Sequence, residues 1–280
     1  DIDFCRATAA AVLGDASKIK TVTSTGKTRF TKLNSGEGDV LWRNTTITFF
    51  RDVGLKLRFH GVNYYDGQGL MVKKSLGVSS AKQLDNASVC IQPYTTTELN
   101  LTDYFSTNGI NYVAVSVGSV DDVRENYLSG NCDVYTTDAS GLASIRSTFS
   151  DPENHIILPE IISKEPLGPA TREGDEQWSQ IITWVLNATI AAEEHGIKSS
   201  NLDQMKKSNK VEVLRLLGVQ GNTGEELGLR NDWAYQIIKQ VGNYGEIFER
   251  NIGVNTPLGS KRGLNELWTN GGLHYSPPFR

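Results

Sequence analysis

The chain lacks any run of apolar residues approaching the roughly 20 that a membrane-spanning helix needs. Its longest helical apolar stretch, residues 178–192, is interrupted by Gln180, Thr183 and Asn187. A basic block is missing too. The 28 Lys and Arg are interspersed with 32 Asp and Glu for a net charge of −4, which argues against nucleic acid as the main partner. There is no Walker A loop, no G-x-G-x-x-G, no H-E-x-x-H and no G-x-S-x-G, so the common nucleotide, zinc-protease and serine-hydrolase signatures are excluded. The four histidines, His60, His155, His195 and His274, are widely separated and offer no metal-ligand spacing. No metal site and no cofactor are expected.

Cysteine is also scarce. With Cys5, Cys90 and Cys132 the count is odd, and at most one internal disulfide can form. Cys90 lies in an apolar strand-like run and Cys132 opens another. If those strands are neighbours a Cys90–Cys132 bridge is feasible and implies an oxidising compartment. Three buried free thiols is the competing reading. The start carries no secretory leader and no Met, so a processed or shortened product is expected.

What is present is 280 residues, 38% hydrophobic and 21% charged, the composition of a folded globular protein with room for one large domain or two lobes. Residues 4–13 are Ala-rich and helical, stopping at Gly14. Residues 18–24 read as a β-branched strand, 28–33 as a helix and 39–42 as a buried strand. Asn63-Tyr64-Tyr65-Asp66-Gly67-Gln68-Gly69 is a Gly-rich polar segment leading into Leu70-Met71-Val72, which suits a crossing between lobes. Strand and helix then alternate: strands over 89–92, 112–117 and 132–137, helices over 96–105, 120–128 and 140–149, and an apolar run over 156–162. A Pro-rich break, Glu165-Pro166-Leu167-Gly168-Pro169, is followed by long amphipathic helices over 173–194 and 231–251, with shorter ones between. Two α/β halves joined by two crossings predict a chain that enters a second lobe and returns, with a cleft as the ligand site.

The densest chemistry is Asn44-Thr45-Thr46-Ile47-Thr48-Phe49-Phe50-Arg51. Hydroxyls and amides can bond an ammonium, and a planar guanidinium can grip a carboxylate through two parallel bonds, so the stretch suits a small zwitterion. The bland reading is a turn capped by Thr48 and followed by a surface arginine. Asp138 ends a strand where open α/β sheets bind ligands, though an Asp there is more often a helix N-cap. Thr95 and Thr96 open a helix whose exposed amides could receive a carboxylate, with plain capping as the alternative.

These pieces resemble a known family. The segments Asp1-Ile2-Asp3-Phe4-Cys5-Arg6-Ala7, Arg43-Asn44-Thr45-Thr46-Ile47-Thr48, Gly61-Val62-Asn63-Tyr64-Tyr65-Asp66-Gly67-Gln68-Gly69, Thr95-Thr96-Thr97-Glu98-Leu99, Cys132-Asp133-Val134-Tyr135-Thr136-Thr137-Asp138, Asn243-Tyr244-Gly245-Glu246 and Leu267-Trp268-Thr269-Asn270-Gly271-Gly272-Leu273 are similar, in order, to periplasmic solute-binding proteins of ABC amino-acid importers, the general L-amino-acid-binding subgroup above all. The resemblance implies an α/β, two-lobed, type II periplasmic-binding-protein fold, each lobe a mainly parallel sheet flanked by helices. Lobe 1 would be residues 1–66 and 168–280, and lobe 2 residues 67–167. It implies a monomer, not an enzyme, that lies in the periplasm, binds free L-amino acids and delivers them to a membrane permease. Arg51 would take the ligand α-carboxylate with Thr95 or Thr96, Asp138 the α-ammonium, and Asn44 and Thr46 would complete the cradle. The hinges would include Tyr64, Gly67, Gly69 and Glu165. A dehydratase-type enzyme and an amino-acid-sensing module are the rival uses of such a fold.

Two departures stand out. The subgroup has Thr-Gly where this chain has Pro93-Tyr94, which puts a bulky side chain where glycine's backbone freedom is used. The family also carries a strand before the first helix, with a cysteine partner for Cys5. Either about 25–35 further residues before Asp1 are therefore expected in the native mature chain, or the strand comes from elsewhere.

Overall fold

The computed structural model describes residues 1–280, which divide into two compact units. The first comprises Asp1–Val22, Gly38–Tyr64 and Gly168–Arg280; the second comprises Thr23–Glu37 and Tyr65–Leu167. Residues 23–37 thus fall in the second unit, where the Lys27 ammonium lies 5.5 Å from the centre of the Tyr94 ring.

The second unit is built on strand alternation. Strands β3 (Gln68–Lys73), β4 (Ala87–Ile91), β5 (Tyr112–Ser116), β6 (Val134–Asp138) and β7 (His155–Ile157) form one sheet in the order β5-β4-β6-β3-β7. Helices α3 (Thr96–Thr107), α4 (Val120–Ser129) and α5 (Ala139–Arg146) connect or follow them. Side chains alternate across a strand, so each central strand feeds two cores. Leu70, Val72, Val89, Ile91 and Val134 join Leu101 and Phe105 on one face. Met71, Cys90 and Tyr135 join Tyr127 and Leu142 on the other. The sheet is mixed rather than mainly parallel. β4 is parallel to β5 and β6, which helical crossovers link, whereas β3, entering from the crossing segment, runs antiparallel to β6 and β7.

Cys90 on β4 and Cys132 just before β6 are neighbours, and they form the disulfide; Cys5 is a free thiol. The bridge closes a loop of 42 residues, worth up to about 4 kcal/mol in the chain-entropy account.

The first unit is mainly helical. Helices α1 (Ile2–Leu13), α6 (Glu176–Glu194), α10 (Trp233–Gln240) and α11 (Tyr244–Asn251) share a core containing Phe4, Trp42, Ile182, Val185, Trp233, Ile237 and Phe248; the short α7 (Leu202–Met205), α8 (Val211–Leu216) and α9 (Thr223–Glu226) lie between α6 and α10, and α2 (Arg29–Asn34) belongs to the second unit. The helix expected over residues 231–251 is two helices. Gly242 takes φ 101°, a backbone that L side chains rarely adopt, and Asn243 then starts α11 with a capping box to Glu246. Residues 18–24 form no strand. A β-branched run becomes one only where a neighbour supplies ladder partners, and none lies beside this mostly exposed segment. Residues 39–42 likewise contribute a single bridge, Leu41 with Ala170. The regular sheet here is only β1 (Leu57–Phe59) against β9 (Ala170–Arg172), antiparallel.

Two crossing strands, β2 (Tyr64–Asp66) and β8 (Glu165–Leu167), pair with each other. Two of the four unit boundaries along the chain lie on them, Tyr64/Tyr65 within β2 and Leu167/Gly168 at the end of β8.

His60 is buried between the hydroxyls of Thr171 (2.8 Å) and Thr183 (3.1 Å), and burial, with Arg58 nearby, pulls its pKa down to about 4. Folding keeps this ring neutral, so the unfolded chain binds the proton more readily. His60 therefore supports stability fully above pH 6.5, and that support drains away as pH falls toward 4, by on the order of 3 kcal/mol. Denaturant melts at pH 7 and pH 4.5 should show a loss in wild type that His60→Gln reduces; the rest includes His274, whose pKa burial pulls down to about 3. Reduction of the disulfide should lower the unfolding midpoint while leaving far-ultraviolet dichroism unchanged at 25 °C.

Candidate functional site

In the first unit the Asn44–Arg51 stretch is fixed at its start by backbone bonds. Leu41 and Ala170 exchange bonds of 2.8 and 3.2 Å, and Gly168 N donates to Thr45 O at 3.0 Å. The approach at Gly168 is so close that a Cβ there would sit 2.2 Å from Gly61 O, which requires glycine. Trp42, stacked on Phe4 at 4.9 Å and donating to Thr8 Oγ1, anchors the strand end from below. Thr48 Oγ1 accepts from Arg51 N at 3.2 Å and opens a π-helical turn, Phe50–Gly54. The capping expectation for Thr48 is therefore met, but Arg51 is no surface arginine. Its side chain is buried at 5% exposure, and Nη1 donates to Thr46 O at 2.8 Å. Arg51 and Thr46 are thus brought together, with Asn44 half-buried two residues away. Phe49 and Phe50, on the same turn, are exposed.

In the second unit Thr95 is the N-cap residue of α3 but makes no side-chain cap; its hydroxyl donates to Gln92 O at 2.7 Å. Thr96 Oγ1 donates to Glu165 Oε2 at 3.2 Å. Glu165, buried on β8, also accepts from Asn100 Nδ2 at 2.6 Å and Ser163 Oγ at 2.7 Å. Asn100 bonds Gln68 Oε1, and Gln68 Nε2 donates to Thr97 O and to Thr136 Oγ1. This buried polar network ties the first turn of α3 to strands β3, β6 and β8. Glu165, expected as a hinge residue, is a strut under the first turn of α3. Gln68, Asn100 and Thr136 were not singled out from sequence; an amide beside two glycines at the head of an otherwise apolar strand was the available signal.

Asp138 is buried at the end of β6, opposite Gln68. It occupies the N-cap position of α5, yet its side chain makes no cap bond. Gly67 has no room for a side chain: a Cβ would lie 2.2 Å from Ile161 Cγ2 and 2.8 Å from Ser163 O. Gly69 sits two residues on, within β3, and Tyr64 stacks on Phe248 in the first unit at 6.3 Å.

Tyr94 resolves the Pro93-Tyr94 departure. It keeps the backbone that glycine would use, φ 65°, with its N–H donating to Glu98 Oε2 at 3.0 Å. A non-glycine residue held there stores strain of about 1–3 kcal/mol.

No group of His, Cys, Asp and Glu could hold a metal ion. No helix is long and apolar enough to cross a membrane.

The comparisons with known proteins agree with this architecture. No protein-family model matches the chain. It is 56% identical over 282 residues, all of this chain and 83% of the relative, to the general L-amino-acid-binding periplasmic protein AapJ of Rhizobium johnstonii. It is 55% identical, again over all of this chain and 83% of the relative, to the glutamate/glutamine/aspartate/asparagine-binding protein BztA of Rhodobacter capsulatus. Among solved structures, an ABC-transporter periplasmic binding protein from Brucella ovis with glutathione bound superposes with a TM-score of 0.97. It is 50% identical and is matched over 100% of this chain and 88% of that one. The fold is that of the type II periplasmic binding proteins. The chain belongs to the family of periplasmic amino-acid-binding components of ABC transporters, whose members here are named as binding proteins and not as enzymes.

Replacing Tyr94 by Gly should relieve the backbone strain and hold or raise the unfolding temperature. A drop of several degrees would mean that the ring's contact with Lys27 outweighs that strain.

Proposed function

We propose that this protein binds free L-amino acids and delivers them to the permease of an ABC importer. The Arg51 guanidinium takes the ligand α-carboxylate, helped by the amides that open α3 at Thr95 and Thr96. The Asp138 carboxylate takes the α-ammonium, and Asn44 and Thr46 complete the polar surround. The observation that carries the reading is the full-length likeness, above 50% identity, to two relatives named for amino-acid binding. Chemistry supports the assignment of residues. A guanidinium can grip a carboxylate through two parallel bonds, and a carboxylate is the natural counter-charge of an ammonium. Delivery needs no covalent step. Ligand contacts that favour one arrangement of a hinged protein shift its population toward that arrangement, and the strands β2 and β8 are where the hinge would bend.

A second ligand class has a specific observation behind it. The Brucella ovis structure holds glutathione, and a γ-glutamyl peptide carries the same α-carboxylate and α-ammonium pair as a free amino acid. The two heads would use the same residues.

A calorimetric screen of the common L-amino acids and glutathione should find at least one tight ligand. Arg51→Ala should weaken that ligand tenfold or more, since a hydrogen bond to a charged group contributes about 1.5–3 kcal/mol. Unchanged affinity would reject the assignment.

A further inference from the structure

The first unit also holds a cavity of about 670 Å³, lined by His195, Lys210, Val211, Glu212, Arg215 and Arg280. None of these residues belongs to the amino-acid site proposed above. The volume is in the range of sites that take small molecules. Three separate pieces of the chain build the wall. His195 is the C-cap residue of α6. Lys210 is the N-cap residue of α8, with Glu212 in the first turn of that helix and Arg215 in its last. Val213 and Leu216 sink into the helical core and hold α8 in place. Arg280 follows Phe279, which is buried with its ring centre 5.0 Å from Trp184 and 6.2 Å from Trp233. The charged residues therefore stand on anchored segments.

The chain as a whole carries a net charge of −4, yet this cavity has the opposite sign. No ion pair in the structure involves Lys210, Arg215 or Arg280. The one carboxylate of the lining, Glu212, lies 3.9 Å from His195 Nε2. Burial lowers the pKa of His195; Glu212 opposes that and Lys210 adds to it. Near pH 7.5 the ring is thus a neutral donor and not a further cation. A concave surface lined by one sign of charge focuses the field on whatever enters it. Guanidinium groups match phosphoryl oxygens through paired donors, and an ammonium meets them as a point charge. Lys210 and Arg215 are five positions apart, roughly 7.5 Å along the axis at the α-helical rise. Each can therefore take a phosphoryl group of its own.

We propose that this cavity binds a small soluble anion carrying two linked phosphoryl groups, held by Lys210, Arg215 and Arg280 with His195 as a further donor. Glu212 faces the same ligand with like charge and weakens it.

The test is calorimetry at pH 7.5 and low salt with inorganic diphosphate. Diphosphate should bind with a Kd below about 1 mM, and orthophosphate at least about tenfold more weakly. Arg215→Gln should weaken diphosphate about tenfold, and Lys210→Gln, whose side chain is exposed, about threefold. Glu212→Gln should tighten it by about threefold, because a like charge is removed. If Arg215→Gln does not fold, Lys210→Gln and Glu212→Gln carry the test with opposite signs. In proton spectra the His195 ring signals, assigned by their loss in His195→Gln, should move on titration. Lys210→Gln should leave amino-acid affinity unchanged, so this inference and the proposed function stand or fall separately. No diphosphate binding, or binding that neither Arg215→Gln nor Lys210→Gln weakens, overturns the proposal. Citrate bound as tightly as diphosphate would make the site one for carboxylates and overturn the phosphoryl assignment. Sedimentation with phosphatidylglycerol vesicles, without affinity for free diphosphate, would point to a lipid headgroup and overturn the soluble ligand.

Discussion

A guanidinium taken out of water must be met by acceptors, or it costs several kcal/mol. Arg51 is that group in the first unit, and its surroundings are arranged to meet the demand. Its Nη1 has Thr46 O as an acceptor only because the Asn44–Thr46 stretch is held in place by the Leu41–Ala170 and Gly168–Thr45 bonds. Those bonds in turn need a glycine at 168. Trp42, bonded to Thr8 and stacked on Phe4, couples the same stretch to the first helix. The capping turn from Thr48 completes the frame.

The second unit solves the opposite problem, the burial of carboxylates and amides. Glu165 is satisfied by Thr96, Asn100 and Ser163, and Gln68 bridges Asn100 to Thr97 and Thr136. A buried network of this kind is rigid when fully satisfied, and it braces the threonines that open α3. Glu165 thereby ties the crossing strand β8 to the first turn of α3. The disulfide between Cys90 and Cys132 locks the sheet that carries both α3 and Asp138.

Much of this was legible in the sequence where local signals decide the outcome. The strands and helices between residues 87 and 146 announce themselves by short β-branched runs alternating with capped amphipathic segments, and they appear within a few residues of the expected places. Arg51 and Asp138 were legible as chemistry. Their burial was not, because exposure depends on contacts distant in sequence. The run at residues 18–24 was misread for a related reason: strand propensity describes a residue's fit to a pleated surface, and a strand exists only with a neighbour. The break at Gly242–Asn243 could have been read from the Asn-x-x-Glu capping box, but helical periodicity on both sides masked it. The bonds from Ser140 N and Oγ, in the first turn of α5, to the Asp66 carboxylate were invisible, since N-cap signals are sought beside the helix and this acceptor lies 74 positions upstream.

The central claim is that one zwitterion is recognised by both of its charged ends. Calorimetry with an L-amino acid, its N-acetyl derivative and its α-amide separates those ends, because each derivative neutralises one charge and leaves the side chain alone. The account predicts that the free amino acid binds and that each blocked form loses at least about a hundredfold, the equivalent of about 2.7 kcal/mol. Retention of the N-acetyl derivative or the amide at comparable affinity would contradict it.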